Sequence, residues 1–339
     1  AEMDPFDWDF DDCRKQAREE WNALLGAIEV EGGPAEDMIK FYTNMYRSYC
    51  ARTILSDVNG KYRDMYEKVQ QLEDRNSPVL GCDAFWNTFW NLNQLWTLVH
   101  PEIANQWVKS LLEIDRVGEW LPKGPTGLEY SSIMVASHEI ALIVSAYQKG
   151  IRNYDVDHAW RAIKHIQTEP GRPHEGGGHV GNRHLAPYME LGYVPVEKGP
   201  VSNTLEYAFD DWTVAQFAKA LGKDAEYKEF LDRSTWWRHA IDPDTGFARL
   251  RKSDGRFMED FDSFKSGANE HYVEGNAWQL TFFVPQDVPG LAQAIGVDRF
   301  RKRLKWGFEE SFKWRFNAPQ DQYWDYPIMQ GNQQSMHFA

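Results

Sequence analysis

The sequence predicts an all-α fold, a toroid of antiparallel helix pairs, with a plain helical solenoid as the second choice. Apolar residues recur at three- and four-residue steps along most of the chain, as one stripe on a helix requires. Convincing strand patterns are few. Long Gly/Pro-rich connections separate alternate helical stretches, the layout expected of helix pairs whose long loops gather at one mouth.

Taken in order, the first helix follows a cap at Asp9 and carries Phe10, Cys13, Ala17, Trp21, Leu24, Leu25 and Ile28 on one stripe. The segment from Ala35 to Arg52 repeats the pattern with Met38, Ile39, Tyr42, Met45 and Tyr49. Helical character then returns over residues 83–99, 101–114, 131–149, 155–166, 204–221, 225–240, 276–283, 287–296 and 298–312, about eleven helices in all. Between them lie SDVNGKY (56–62), GEWLPKGPTG (118–127), EPGRPHEGGGHVGNRH (169–184) and DFDSFKSGANEHY (260–272). Loops this long inside a compact domain are usually functional, and these carry Trp, His, Asp and Arg, including Arg183 and His184. No internal repeat or linker divides the chain, so a single domain is expected.

Composition narrows the function. Hydrophobic residues make up 42% of the 339, enough for a large core, and Asp+Glu 51 against Lys+Arg 37 gives an acidic field that repels phosphate backbones and anionic lipid. Nucleic-acid and membrane partners are not expected. The 15 Trp suit either a ring-rich helical core or the flat faces of sugars, and both readings stay open. Cys13, Cys50 and Cys82 form no C-x-x-C pattern, so neither a disulfide framework nor a thiolate metal site follows, and they are expected as small core residues. No apolar run approaches a membrane span, and the first residues lack the pattern of a signal peptide.

Three segments could carry chemistry. In YVEGNAWQLTFFVPQDVPGL (272–291), Glu274 precedes a helix start and Gln279 lies one turn later, so a carboxyl and a carboxamide could share one mouth. Helix capping by Glu or Asn explains the same spacing. In NTLEYAFDDW (203–212), Glu206, Asp210 and Asp211 sit at i, i+4 and i+5, which opposes helix formation slightly. Sugar-hydroxyl binding and a solvated acidic face both fit. GCDAFWNTFWNLNQLW (81–96) places Trp86, Asn87 and Trp90 where a helix begins, as a pocket wall or an aromatic core. Asp57, Asn59 and Gly60 lack the offsets of a calcium loop and are read as a turn, one that could line the pocket. His138-Glu139 opens HEIAL without a second His, so no zinc-protease motif exists. Nucleophile-elbow and phosphate-loop patterns are also missing.

As an ordered set, FYTNMYRSYCARTILSDVNGKY, WNTFWN, SNTLEYAFDDW, EGNAWQ with TFFVPQDVPGL, and GNQQSMH resemble successive blocks of glycoside hydrolase family 92, the calcium-dependent inverting exo-α-mannosidases. The resemblance runs from about residue 40 to the last residue. It implies an (α/α)6 toroid over 35–339, incomplete at its C-terminal end, preceded by a linker and helix at 1–34 that lead in from an N-terminal β-sandwich absent from this chain. It implies hydrolysis of terminal α-mannose, with Glu274 as general acid and Ca2+ held by Gln279, Asn332 and Gln333. Trp86, Asn87, Glu206, Asp210, Asp211, Asp57, Arg183 and His184 become the candidate substrate contacts. An inverting mechanism needs a second carboxylate roughly 6.5–9.5 Å from the acid. The family supplies it downstream of the GN block, beyond residue 339, so these residues alone are expected to turn over little.

Asn87, Gln286 and Arg47 stand where many members have Asp, His and His. Those departures bear on substrate linkage more than on fold. The resemblance also implies a periplasmic or extracellular parent protein acting on mannose-containing glycans. Two rivals stand beside it: a non-catalytic glycan-binding module, and a toroid hydrolase for another glycoside.

Overall fold

The computed structural model describes residues 3–50, 53–81, 85–86, 88–124, 130–132, 134–267, 270–313, 324–331 and 333–338. Helix α1 (Phe10–Leu25) starts where Asp9 accepts hydrogen bonds from the backbone N–H groups of Asp11 (2.8 Å) and Asp12 (3.3 Å), as its sequence foretells. It lies on α2 (Ala35–Tyr49) through Trp21 and Tyr46, whose rings are 4.6 Å apart. Two small strand pairs follow, one enclosed in sequence by the other. Strand β1 (Thr53–Ile54) pairs with β4 (Leu80–Gly81), and β2 (Lys61–Arg63) with β3 (Val69–Gln71), both antiparallel.

Helix α3 (Leu92–Val99) is shorter than the stretch 83–99 that periodicity assigns to it. Phe85 and Trp86 are buried ahead of it, the peptide N–H of Asn93 bonds Thr88 O at 2.9 Å, and this packed turn replaces the first helical turns. Helix α4 (Pro101–Gly118) begins on a proline, whose missing N–H costs nothing at a helix start. Helix α5 (Glu139–Gln148) also starts late. Ala136 has φ 53° and the Ser137 N–H donates to Asp210 Oδ2 at 2.7 Å, so a tertiary bond fixes the entry and stops the helix from extending backward.

Helix α6 (Val156–Thr168) is capped by Asp155. Strands β5 (Arg172–Pro173) and β6 (His179–Val180) form a third antiparallel pair inside the 169–184 loop. A helix that periodicity missed, α7 (Leu185–Leu191), follows at once. Helix α8 (Ser202–Ala220) is the axis of the fold: it is buried along nearly its whole length and packs against α5, α6 and α9 (Asp224–Arg233). Helix α9 ends at Arg233 rather than 240, because that side chain turns inward to Asp211 and residues 236–240 tighten into a 3-10 turn. The chain then wanders through isolated bridges to α10 (Ala277–Leu280), α11 (Val288–Ile295) and α12 (Val297–Lys313).

One apolar core joins α3, α4, α5, α6, α8 and α9 around Trp96, Trp107, Ile140 and Phe217, with the two tryptophan ring centroids 5.9 Å apart and the rings parallel to within 4°. A second gathers Phe209, Trp237, Leu280 and Phe283. Trp96, Trp107 and Trp237 are fully enclosed, so these three tryptophans belong to the core. The expectation for cysteine is corrected: Cys50 is exposed and Cys13 only partly covered, because α1 and α2 bury little, while Cys82 lies outside the described residues. The outcome is an all-α toroid-type fold with strands confined to short pairs.

Candidate active site

A third apolar cluster unites Trp86, Leu185, Tyr188, Tyr207 and Val273. It therefore draws together four of the segments singled out by sequence: the turn before α3, the start of α7 beside His184, the acidic stretch of α8, and the strand of chain leading to Glu274. The Val273 N–H donates to Ser202 Oγ at 3.0 Å, fastening the last of these to the start of α8.

Beside this cluster runs a buried polar chain. The Trp86 indole N–H donates to Glu206 Oε2 at 2.7 Å. His138 bonds that same oxygen through Nε2 at 2.8 Å and Asp210 Oδ1 through Nδ1 at 2.7 Å, with all three ionisable side chains fully enclosed. Burial alone would lower the His138 pKa. The Asp210 and Glu206 carboxylates outweigh it and raise the imidazole to about 10, so it carries a proton and donates from both nitrogens. Burial pushes the Glu206 carboxyl up despite His138 and Trp86. Its second oxygen, Oε1, has no hydrogen-bond partner among the described residues.

Asp211 faces a different set of partners. Arg233 grips it with contacts of 2.8 and 3.2 Å, the Tyr188 hydroxyl donates at 2.8 Å and Gln167 Nε2 donates at 3.2 Å. Burial pushes its carboxyl up to about 7, against the pull of Arg233. Gln167 continues through Asn182 to Ser137, so the two halves of the network close around α8. The solvated acidic face considered for Glu206, Asp210 and Asp211 is thereby overturned: none of the three is exposed.

Glu274 is half-buried and holds φ 48°, a left-handed backbone that a non-glycine residue adopts at a cost of about 1–3 kcal/mol. The capping explanation belongs to its neighbour. Asn276 caps α10, its Oδ1 accepting the Gln279 N–H at 3.1 Å, so Glu274 stands outside the cap. Asn276 Nδ2 and Gln279 Nε2 both donate to Tyr326 O, at 2.9 and 2.7 Å. A Cβ on Gly275 would stand 2.9 Å from Gln279 Oε1, so that amide oxygen rests against the bare face of Gly275, next to Glu274.

The remaining candidates spread out. His184 is half-buried, and burial, with the Arg183 charge, pushes its pKa down to about 4, leaving a neutral ring. Arg183 is exposed. Asp57 is exposed in the turn before β2, where its backbone closes onto Gly60 and Lys61, in agreement with the turn reading; no bond described here ties it to the Trp86 cluster. Asn87 and Asn332 lie outside the described residues, and Gln333 falls in a 3-10 turn over Gln333–Phe338. Among the described residues, no three His, Cys, Asp or Glu side chains gather into a metal-holding group.

Sequence reasoning excluded a zinc-protease motif at His138-Glu139 but gave the pair no other role, and it passed over Lys123. Glu139 is fully buried with neither oxygen hydrogen-bonded among the described residues, and burial raises its pKa well above the usual range. Lys123 is almost enclosed, and burial pushes it down to about 8. The available signal was a His-Glu pair opening an otherwise apolar helix: α5 is buried on most sides, so its leading charges are buried with it.

The Trp86 cluster thus joins buried carboxylates, an indole and the segment that carries a strained glutamate within a helical toroid-type fold. The chain matches the glycosyl hydrolase family 92 catalytic domain over residues 1–339 and belongs to that family. A family GH92 α-mannosidase of Bacteroides thetaiotaomicron superposes with a TM-score of 0.85 at 27% identity, over 97% of this chain and 43% of that one. The GH92 inverting mannosidase of Bacteroides thetaiotaomicron VPI-5482 gives 0.79 at 28%, over 86% and 39%. A protein of Arthroderma benhamiae described as an uncharacterized secreted glycosidase is 24% identical over 92% of this chain and 40% of its own length. The chain thus spans about two fifths of the length of these relatives.

Proposed function

We propose that the protein carrying this chain removes terminal α-mannose from glycans by single displacement with inversion. Glu274 protonates the leaving oxygen. The observation that carries this role is its strained left-handed backbone outside the helix cap, beside the Trp86 cluster, since strain of this kind persists where function holds it. Kinship supports the substrate: one structure of the Bacteroides thetaiotaomicron α-mannosidase is a complex with mannoimidazole, and it aligns at 28% identity.

Each part of the site has a task in this reading. Trp86, held by Glu206, offers a ring face to the sugar, and Glu206 Oε1 is an acceptor for a hydroxyl. Neutral His184 can donate or accept without charge. Gln279, whose amide nitrogen is tied to Tyr326 O, presents its oxygen beside Glu274 and fits a hard cation ligated by oxygen; Asn332 and Gln333 would complete the set. Calcium bound there would engage sugar hydroxyls as a Lewis acid and template. The general base is placed outside these residues, so the 339-residue chain alone is expected to turn over little.

In this reading the parent protein works in the periplasm or outside the cell, which its likeness to a protein described as a secreted glycosidase supports; no described helix is long and apolar enough to cross a membrane. The test is Glu274→Gln in the complete protein. Cleavage of natural mannosides should fall by at least about 100-fold, the scale of general acid catalysis. Aryl mannosides with good leaving groups should suffer far less. Unchanged cleavage of natural mannosides would remove Glu274 from the role.

A further inference from the structure

We propose that the cavity bounded by α3, α5, α8 and the Pro285 turn is a second saccharide site, separate from the Glu274 site and specific for an uncharged sugar. The proposal rests on the glycan-processing reading above. The cavity holds about 570 Å3, within the range of small-molecule sites. Trp86, Glu206, Asp210, Glu274 and Gln279 are not among its lining residues.

Its polar equipment is distinctive. Asn93 is only 1% exposed, yet neither Oδ1 nor Nδ2 has a hydrogen-bond partner among the described residues. Gln286, half-buried in the Pro285 turn, also leaves both Oε1 and Nε2 without a partner among the described residues. Two residues that line the cavity thus carry unpartnered carboxamides, two donor and two acceptor groups in all. Buried amides left unmatched are costly, and the cost is recovered when a ligand matches them. A sugar hydroxyl both donates and accepts, so a row of hydroxyls complements carboxamides better than an anion or a cation would.

The walls agree. Four aromatic residues, Phe89, Trp90, Phe209 and Trp212, line the cavity, an apolar wall suited to the C–H face of a pyranose. The one ionisable lining residue, Lys149, is exposed at the rim, so the interior offers no counter-charge to an ionic ligand.

The test titrates methyl α-D-mannopyranoside and methyl α-D-glucopyranoside into the complete protein, followed by calorimetry and tryptophan fluorescence. Asn93→Leu and Gln286→Met keep shape and remove the amides. Each should weaken binding at this site about tenfold or more, the scale of one lost hydrogen bond, while the melting temperature stays or rises. Glu274→Gln should retain the component that those variants lose. Binding that N93L and Q286M leave untouched, or no binding of either glycoside by the wild-type chain, would overturn the proposal and leave the amides to water. Failure of mannose release by the complete protein, with this binding intact, would count against the catalytic reading alone.

Discussion

Replacing His138 by Phe tests the electrostatics of the site. The imidazole is fully enclosed between Glu206 and Asp210, at 2.8 and 2.7 Å, and its proton offsets two carboxylates that are themselves enclosed. The surroundings would accept a phenyl ring: Phe89 and Phe209 lie 4.5 and 5.7 Å from the imidazole. Packing is therefore nearly conserved, and the change isolates charge. Breaking a buried pair costs about 3–5 kcal/mol, roughly 100- to several-thousand-fold in the folding equilibrium. Urea unfolding at neutral pH, followed by circular dichroism, should show that loss. Adding Glu206→Gln and Asp210→Asn should restore most of it, since a neutral set needs no counter-charge. The sign with pH is fixed too. Without the imidazolium, burial still holds the Glu206 carboxyl above its unfolded pKa, so His138→Phe should regain stability as pH falls toward about 4 and lose it as pH rises. A loss under about 1 kcal/mol at neutral pH, with an unchanged pH profile, would refute the reasoning.

Arg233→Met leaves Asp211 enclosed without its cation and should cost about 3–5 kcal/mol in the same assay, partly recovered by adding Asp211→Asn. Because burial raises Asp211 to about 7 from 3.8, protonation favours the folded state. That contribution is complete below the unfolded value and lost as pH rises through 7, so Asp211→Asn should flatten the wild-type decline between about pH 4 and about pH 7. Gly178→Ala would set a Cβ 1.7 Å from Tyr130 O at φ +73°, and a loss of about 3 kcal/mol or more is expected. Gly222→Ala, at φ +70° with no atom within 4 Å, should lose only about 1–2 kcal/mol, separating clash from backbone strain.

Much of this was legible in the chain because helical periodicity and caps are local. Asp9, Asp155 and the stripe from Phe10 to Leu25 specify their helices without help from distant residues. Where the periodic reading overran, just ahead of Leu92, just ahead of Glu139 and after Arg233, a long-range bond decides the boundary: Trp86 to Glu206, Ser137 to Asp210, and Asp211 to Arg233. No local pattern encodes those pairings. The burial of Glu206, Asp210 and Asp211 was hidden for a related reason. Acidic residues on a helix read as solvated until the partners that neutralise them are seen, and His138 and Arg233 come from 68 and 22 residues away. Glu274 could be picked out as a residue, but its left-handed backbone could not, since glutamate carries no conformational signature of its own.

The central claim is inverting release of α-mannose with Glu274 as acid. Its most direct measurement is proton NMR of the complete protein acting on an α-mannoside in the presence of calcium, following which anomer of mannose appears first. The β-anomer should appear ahead of mutarotation, with release suppressed by a chelator and by Glu274→Gln. First appearance of the α-anomer, or binding of the mannoside with no release, would contradict it.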